Sequence, residues 1–298
     1  MNVRLRIPAT TANLGPGFDA LGLALNIYNY LEMERIPTGL EIAVRGEGTN
    51  ELPLDKGNLV YKAATKVFKR VGQTPGLRIK QENNIPLSRG LGSSAAAIIG
   101  GLVAANHLVG QPFTPDQLLD MATEMEGHPD NVAPALFGGL VAACMQGSAV
   151  KYIAIKPTKP LNMVVAIPAF HLSTKKARNV LPAKVSFRDA THNVGRAALL
   201  VSAFCTGDYS HLRWACHDKL HQPYRASLVP GLISVIEAVT TSGGLGAALS
   251  GAGPSVIAFT TGDSATVGEA MQLAFKTHGV ASQVIYTDIN TQGTVRIS

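Results

Sequence analysis

Hydrophobic and polar positions along the chain follow two different periods. Val3–Ile7 and Gly22–Ile36 carry β-branched and aromatic residues without a helical stripe, and Leu40–Arg45 alternates apolar with polar. All three read as strands. In Asn58–Val71, by contrast, Leu59, Ala63, Val67 and Val71 fall four apart, with Asp55 and Asn58 as candidate caps. That spacing predicts a helix. A short strand over Leu77–Gln81 leads into a loop from Glu82 to Gly90. A long helix of small residues is predicted from Gly92 to Val109, and another over Thr114–Glu126 from its Thr-Pro-Asp start. Leu136–Met145 and Tyr152–Ile155 read as strands around a Gly-Ser turn.

The Pro-containing segment Lys156–Asn162 marks the expected boundary between two domains, 1–156 and 157–298. Beyond it the pattern predicts a strand at Met163–Ile167, helices near 173–180, 190–206 and 230–241, and a strand at Ala247–Leu249. A strand (Ser255–Thr260), a helix (Ser264–His278) and a strand (Gln283–Asp288) close the chain. Helices and strands interleave without a strict βαβ rhythm, which makes the fold class α+β. No period of 20–50 residues repeats, so solenoids and propellers are set aside.

Composition narrows the class. With 298 residues, 46% apolar and 15% charged, the chain can fill a real core, and a disordered protein is excluded. Three cysteines (Cys144, Cys205, Cys216) without any C-x-x-C point to a reducing, cytoplasmic setting. The N-terminus lacks an apolar signal stretch, and the run Ser93–Gly110 is broken by Asn106 and His107, so no membrane partner is expected. The net charge of +6 is uneven: 12 basic and 13 acidic residues in 1–150, against 14 and 7 in 151–298. Such a surplus attracts nucleic acid, an anionic surface or small anionic ligands. The single Trp214 and scattered tyrosines form no stacking platform, so nucleic acid is not expected.

The most informative segment is Ile85–Ala97, IPLSRGLGSSAAA, between a strand and a helix. Gly90 and Gly92 allow positive φ and close backbone approach, while the helix start offers free N–H groups to an anion. Ser93 and Ser94 add hydroxyls that suit Mg²⁺. The Walker A pattern is absent. The loop does match G-x-G-x-x-A, but the first acid downstream is Asp116, at the start of a helix, which argues against a dinucleotide site. Two further turn-rich segments, Pro8–Asp19 (PATTANLGPGFD) and Leu249–Ser255 (LSGAGPS), complete a set of three. His217 and His221 lie four apart beside Cys216, but no H-E-x-x-H pattern and no placed carboxylate accompany them, so a surface or inter-helix role is expected.

Taken together, the three segments resemble the N-terminal, ATP-phosphate and C-terminal motifs of the GHMP kinase superfamily. Within it, EGHPDNVAPALFGG (Glu126–Gly139), STKKARNVLP (Ser173–Pro182) and QPYRASLVPG (Gln222–Gly231) are similar to the signatures of the homoserine kinases. The resemblance implies an N-terminal α/β domain with a left-handed crossover that carries most of the ATP site, and a ferredoxin-like C-terminal domain. It implies transfer of the γ-phosphoryl group of ATP to the side-chain hydroxyl of L-homoserine. The alternative is another GHMP small-molecule kinase, of mevalonate or sugar type.

By the same resemblance, Asn58 and the loop Pro86, Leu87, Ser88, Arg89, Gly90, Leu91, Gly92, Ser93, Ser94, Ala95 and Ala96 would hold ATP. Ser94 (or Ser93) and Glu126 would hold Mg²⁺. Asn13 and Asp19 would hold the attacking hydroxyl, and Thr174 would sit near the γ-phosphate. His128, Arg178, Arg225 and Gly251 would hold the amino-acid end, the guanidinium forks matching its carboxylate. Without the resemblance, Arg178 and Arg225 read as solvated surface charges. Asn131 stands where relatives such as mevalonate kinase have an aspartate, and an amide cannot take a proton. No residue is then assigned as general base, and catalysis by alignment is expected. A homodimer is compatible with these features.

Overall fold

The computed structural model describes residues 2–297. Strands β1 (Asn2–Ala12) and β2 (Leu21–Ile36) pair antiparallel around the loop 13–20. β3 (Leu40–Gly46), α1 (Leu59–Arg70) and β4 (Gly76–Asn83) follow, with β4 parallel to β3 and antiparallel to β2. Parallel neighbours need a crossover, and α1 supplies it. Helices α2 (Ser93–Leu108), α3 (Pro115–Glu126) and α4 (Pro129–Phe137) come next, then the hairpin β5 (Leu140–Gln146) and β6 (Ala149–Ile155), joined to the sheet where β5 pairs with β2.

Buried positions surround α2 on all sides, from Ala95 and Ala96 through Ile98, Ile99 and Leu102 to Leu108. A helix apolar all round belongs in a core, and its small residues let β1, α1, α3 and α4 pack close to it. Side chains mark the neighbouring helix starts. Asn58 Oδ1 accepts from the Val60 amide at 2.9 Å, so it rather than Asp55 caps α1. Thr114 and Gln117 form a reciprocal capping box on α3.

The hairpin ends at Ile155, and β7 (Asn162–Pro168) opens the second sheet. Then come α5 (Thr174–Asn179), α6 (Phe187–Thr206), the short α7 (Leu212–Ala215) and α8 (Gln222–Arg225), and α9 (Leu232–Thr241). β8 (Gly246–Leu249), β9 (Val256–Thr260), α10 (Ser264–Thr277) and β10 (Ser282–Asp288) complete the unit. The antiparallel order β10-β7-β9-β8 places the unit's first strand inside and its second at the edge, the ferredoxin-like arrangement. β11 (Val295–Arg296) then leaves this unit and pairs with β1 in the first sheet.

Several local expectations change. Pro8–Ala12 is strand rather than loop, because β1 continues its pairing with β2 past an irregularity at Pro8/Ala9. A proline is tolerated at such a bulge. Glu82 and Asn83 belong to β4, since the pairing with β2 extends to Tyr30 and that with β3 to Gly46. Leu136 and Phe137 end α4 instead of opening β5. That helix was hidden by two prolines: Pro129 stands in its first turn, where no N–H is needed, and Pro134 sits inside it. No helix among the described residues is long and apolar enough to cross a membrane.

Candidate functional site

Three loops meet at one cavity: 13–20 after β1, 84–92 before α2, and 250–255 after β8. Backbone hydrogen bonds join them, from the Gly251 amide to the Ala12 carbonyl (3.0 Å) and from the Ser255 amide to the Arg89 carbonyl (3.3 Å). Ser250 Oγ adds a bond to the Gly90 carbonyl at 2.6 Å. Beside this junction lies a cavity of about 450 Å³.

Two glycines shape the end of the cavity at α2. Gly90 has φ +78°, and a Cβ there would lie 2.1 Å from the Ser250 carbonyl oxygen. Gly92, at φ +68°, is the residue before α2, and its Cβ would lie 1.9 Å from Thr10 Oγ1. No side chain caps α2, so its first-turn amides face the cavity end free of intrahelical partners. An anion is the natural partner for such a terminus.

Ser94 Oγ donates to Glu126 Oε1 at 2.7 Å, bringing the starts and ends of α2 and α3 together. Ser93 makes no such bond to Glu126. Beside Gly92, Thr10 Oγ1 donates to Asn131 Oδ1 at 2.8 Å, and Asn131 Nδ2 donates to Asp130 Oδ1 at 3.3 Å. His128 Nδ1 is hydrogen-bonded to the same Asp130 oxygen. Burial disfavours a charged His128 ring, but the hydrogen bond and charge of Asp130, helped by Asp19, prevail and raise its pKa.

The loop 13–20 is built on unusual backbone. Asn13, Leu14 and Asp19 have φ of +70°, +51° and +56°, and Ser88 in the facing loop has +53°. Such conformations outside glycine are held only by surrounding contacts, and Asn and Asp tolerate them best. Asn13 Oδ1 accepts from the Asp19 amide (3.0 Å) and its Nδ2 donates to the Gly251 carbonyl (3.0 Å). Arg178 donates through Nη1 and Nη2 to the two Asp19 carboxylate oxygens at 3.0 and 2.6 Å. That pairing, through a hydrogen bond above all, raises the Arg178 pKa.

Arg225 is 2% exposed, so the surface reading of it is corrected. Its Nε donates to the Ala177 carbonyl (3.1 Å) and Nη1 to the Gly251 carbonyl (3.0 Å), with no carboxylate within ion-pair distance among the described residues. Burial first, then the positive charge of Arg178, pushes it down to about 10, still cationic at neutral pH. Both guanidiniums lie over the Phe18 ring, 5.4 and 5.3 Å from its centroid.

Every residue expected at the nucleotide, metal or amino-acid site lines this cavity except Ala95, whose methyl group is in the core. Sequence reasoning missed Asp130, buried between His128 and Asn131, although it stands inside the quoted HPDN run. It also missed Phe18. The surface expectation for His221 is corrected: the ring is fully buried, stacked on Phe18, with Asp218 beside it. Asp19, His128 and Asp130 bring possible metal-ligand atoms within 4.8 Å of one another. His128 and Asp130 are bonded to each other and Asp19 to Arg178, so these atoms are engaged already.

Residues 58–139 match the model of the GHMP kinases N terminal domain, and residues 200–277 that of the GHMP kinases C terminal domain. A homoserine kinase of Carboxydothermus hydrogenoformans is 49% identical over 290 residues, 97% of this chain and 95% of the relative. The chain belongs to the homoserine kinase family of GHMP kinases. A second homoserine kinase, from Moorella thermoacetica, is 48% identical over 94% of this chain and 95% of its own length. The crystal structure of homoserine kinase from Cytophaga hutchinsonii superposes with a TM-score of 0.91 at 31% identity, covering 99% of this chain and 97% of that one. The crystal structure of L. major mevalonate kinase shares the fold at a TM-score of 0.73 and 19% identity, over 96% of this chain and 95% of its own. The two-domain GHMP kinase fold, mixing helices and sheets, is thus present.

Proposed function

We infer that this kinase transfers the γ-phosphoryl group of ATP to the side-chain hydroxyl of L-homoserine, giving O-phospho-L-homoserine and ADP in threonine biosynthesis. One observation carries the reading: a single cavity joins the open N-terminus of α2 to a cluster of Asp19, His128, Arg178 and Arg225. One end suits a polyphosphate; the other suits a small amino acid. The high identity to homoserine kinases over nearly the whole chain supports it.

In the reaction, a bond forms between the homoserine oxygen and the γ-phosphorus while the bond to the bridging oxygen breaks, and ADP leaves with that electron pair. The loop 86–96 holds the phosphates through its amides, and Asn58 lines the same cavity. Arg225 and the free donors of Arg178 and His128 take the carboxylate and its neighbour atoms, the Gly251 carbonyl lies beside them, and Thr174 meets the γ-phosphate. Asn13 holds the backbone of Asp19, and Arg178 occupies both oxygens of Asp19, so this carboxylate acts as an orienting charge toward the hydroxyl. Asn131 offers no base. A loose transition state leaves the hydroxyl proton in place until late, when phosphoryl oxygen or water carries it off.

Ser94 Oγ and the Glu126 carboxylate are hard oxygen donors already 2.7 Å apart, a pair whose chemistry fits Mg²⁺. When bound there, the ion would neutralise charge on the phosphate oxygens. Three free cysteines, two of them exposed, support a cytoplasmic setting. ADP release measured with homoserine, mevalonate and galactose tests the whole reading: turnover with homoserine alone is expected. Turnover with mevalonate or galactose instead would move the protein to another branch of the family, and none with any alcohol would end the kinase reading.

A further inference from the structure

His221 sits outside the cavity wall yet touches the residue that matters most there. Its Nε2 is 2.7 Å from the Gly15 carbonyl oxygen and its Nδ1 is 3.2 Å from Arg225 Nη1. A carbonyl can only accept, so Nε2 carries the proton; a neutral imidazole then has a lone pair at Nδ1. That lone pair faces a guanidinium N–H. Burial holds the ring below the ordinary imidazole pKa and so keeps it neutral.

Everything around the ring serves to hold this orientation. Asp218 lies 3.6 Å from Nε2, too far to take its proton. The aspartate's oxygens are occupied instead by Asn193 Nδ2 and the amides of Leu220, His221 and Gln222, at 2.6–2.9 Å, which fix the turn that begins α8. Phe18 stacks on the imidazole with centroids 5.2 Å apart. On its own side, Arg225 spends Nε and Nη1 on two carbonyls and His221, while Nη2 has no acceptor among the described residues.

The geometry points to His221 as a positioning residue: as a neutral acceptor at Nδ1 it fixes the rotation of the Arg225 guanidinium, so that Nη2 meets the carboxylate of the acceptor substrate. The inference rests on the reading above that Arg225 binds that carboxylate. A guanidinium anchored at three points is pre-organised, and losing one anchor lowers affinity for a planar anion without touching the phosphate end.

The test compares His221→Gln, whose amide reaches the Nε2 position and keeps a donor for Gly15, with His221→Asn, whose amide reaches the Nδ1 position. Steady-state kinetics give KM for homoserine and ATP. The competitive Ki of 3-aminopropan-1-ol, which is homoserine without its carboxylate, gives affinity for the remainder. His221→Gln is expected to raise KM for homoserine about tenfold, the size of one lost hydrogen bond to a charged group, and to leave KM for ATP and the Ki unchanged. His221→Asn is expected to recover most of that loss. Equal effects on homoserine and the amino alcohol, or no effect on either, would overturn the inference. Should His221→Gln not fold, ¹⁵N shifts of the wild-type ring decide: a protonated Nδ1 in the free enzyme refutes the acceptor role, and a bare Nδ1 with a protonated Nε2 supports it. Arg225→Met separates the two levels. If it leaves KM for homoserine unchanged, the carboxylate reading itself fails; if it raises KM while His221→Gln does not, only the positioning role fails.

Discussion

Ser94 and Glu126 are 32 residues apart in the chain, yet Ser94 Oγ and Glu126 Oε1 meet at 2.7 Å. The contact joins the open first turn of α2 to the last residue of α3, where the phosphate loop ends. These two hard donors, held together beside free amides, are the pair proposed above to hold Mg²⁺. Ser94→Ala is expected to raise the Mg²⁺ concentration needed for half-maximal rate about tenfold, read from activity against Mg²⁺ at fixed ATP. If Ser93→Ala has that effect and Ser94→Ala has none, the metal role belongs to Ser93.

Asp19 is tied to Arg178 through both oxygens and to Asn13 through its amide. Replacing it with asparagine keeps the shape and removes the charge. The expected result is a KM for homoserine raised about tenfold and a kcat lowered no more than about a hundredfold, as for a lost orienting interaction. A kcat loss well beyond about ten-thousandfold, the upper range for general base catalysis, would instead assign Asp19 the proton.

Arg225 carries the recognition argument. Arg225→Lys keeps a charge but loses the planar fork, so it is expected to restore little. Both Arg225→Lys and Arg225→Met should raise KM for homoserine by about tenfold or more while KM for ATP stays within about twofold. A parallel thermal melt establishes that the fold survives the change.

His221 also predicts a pH dependence of stability. Folding lowers its pKa from 6.5, mainly by burial. Above 6.5 the ring is neutral in both states and its contribution is complete. As pH falls below that value the unfolded chain takes the proton first, and stability drops until the folded-state pKa is passed. The loss of Tm between pH 8 and about pH 5 should therefore be smaller in His221→Gln than in the wild type. Equal slopes would show that the buried ring does not titrate in this way.

Gly92 tests the loop. An alanine there would put Cβ 1.9 Å from Thr10 Oγ1 at a φ of +68°. Thr10 also holds Asn131, so the clash cannot be relieved without moving that residue. Gly92→Ala is expected to lower stability by about 1–3 kcal/mol in denaturant melts and to raise KM for ATP.

Much of the fold is legible along the chain because it is local. The four-residue spacing in α1, the Thr-Pro-Asp start of α3 and the alternation in β3 depend on neighbours within a few positions. Where non-local pairing governs, the pattern misleads. Pro8–Ala12 reads as a turn until β2 lies beside it, and α4 is masked by prolines that its first turn and its packing accommodate. The pairing of β11 with β1 leaves no local trace at all.

The sequence by itself determined where the chemistry is expected: the glycine loop and its adjacent serines through backbone freedom and donor type, and the HPDN run through its resemblance to the homoserine kinases. Tertiary structure decided how those residues act. Arg178 and Arg225 look alike in the chain, but one is paired with Asp19 and the other is buried without a carboxylate. His221 resembles a surface histidine until the loop 13–20 from the other domain closes over it. Burial, charge pairing and the tautomer of a ring are set by atoms distant in sequence, and no spacing rule encodes them.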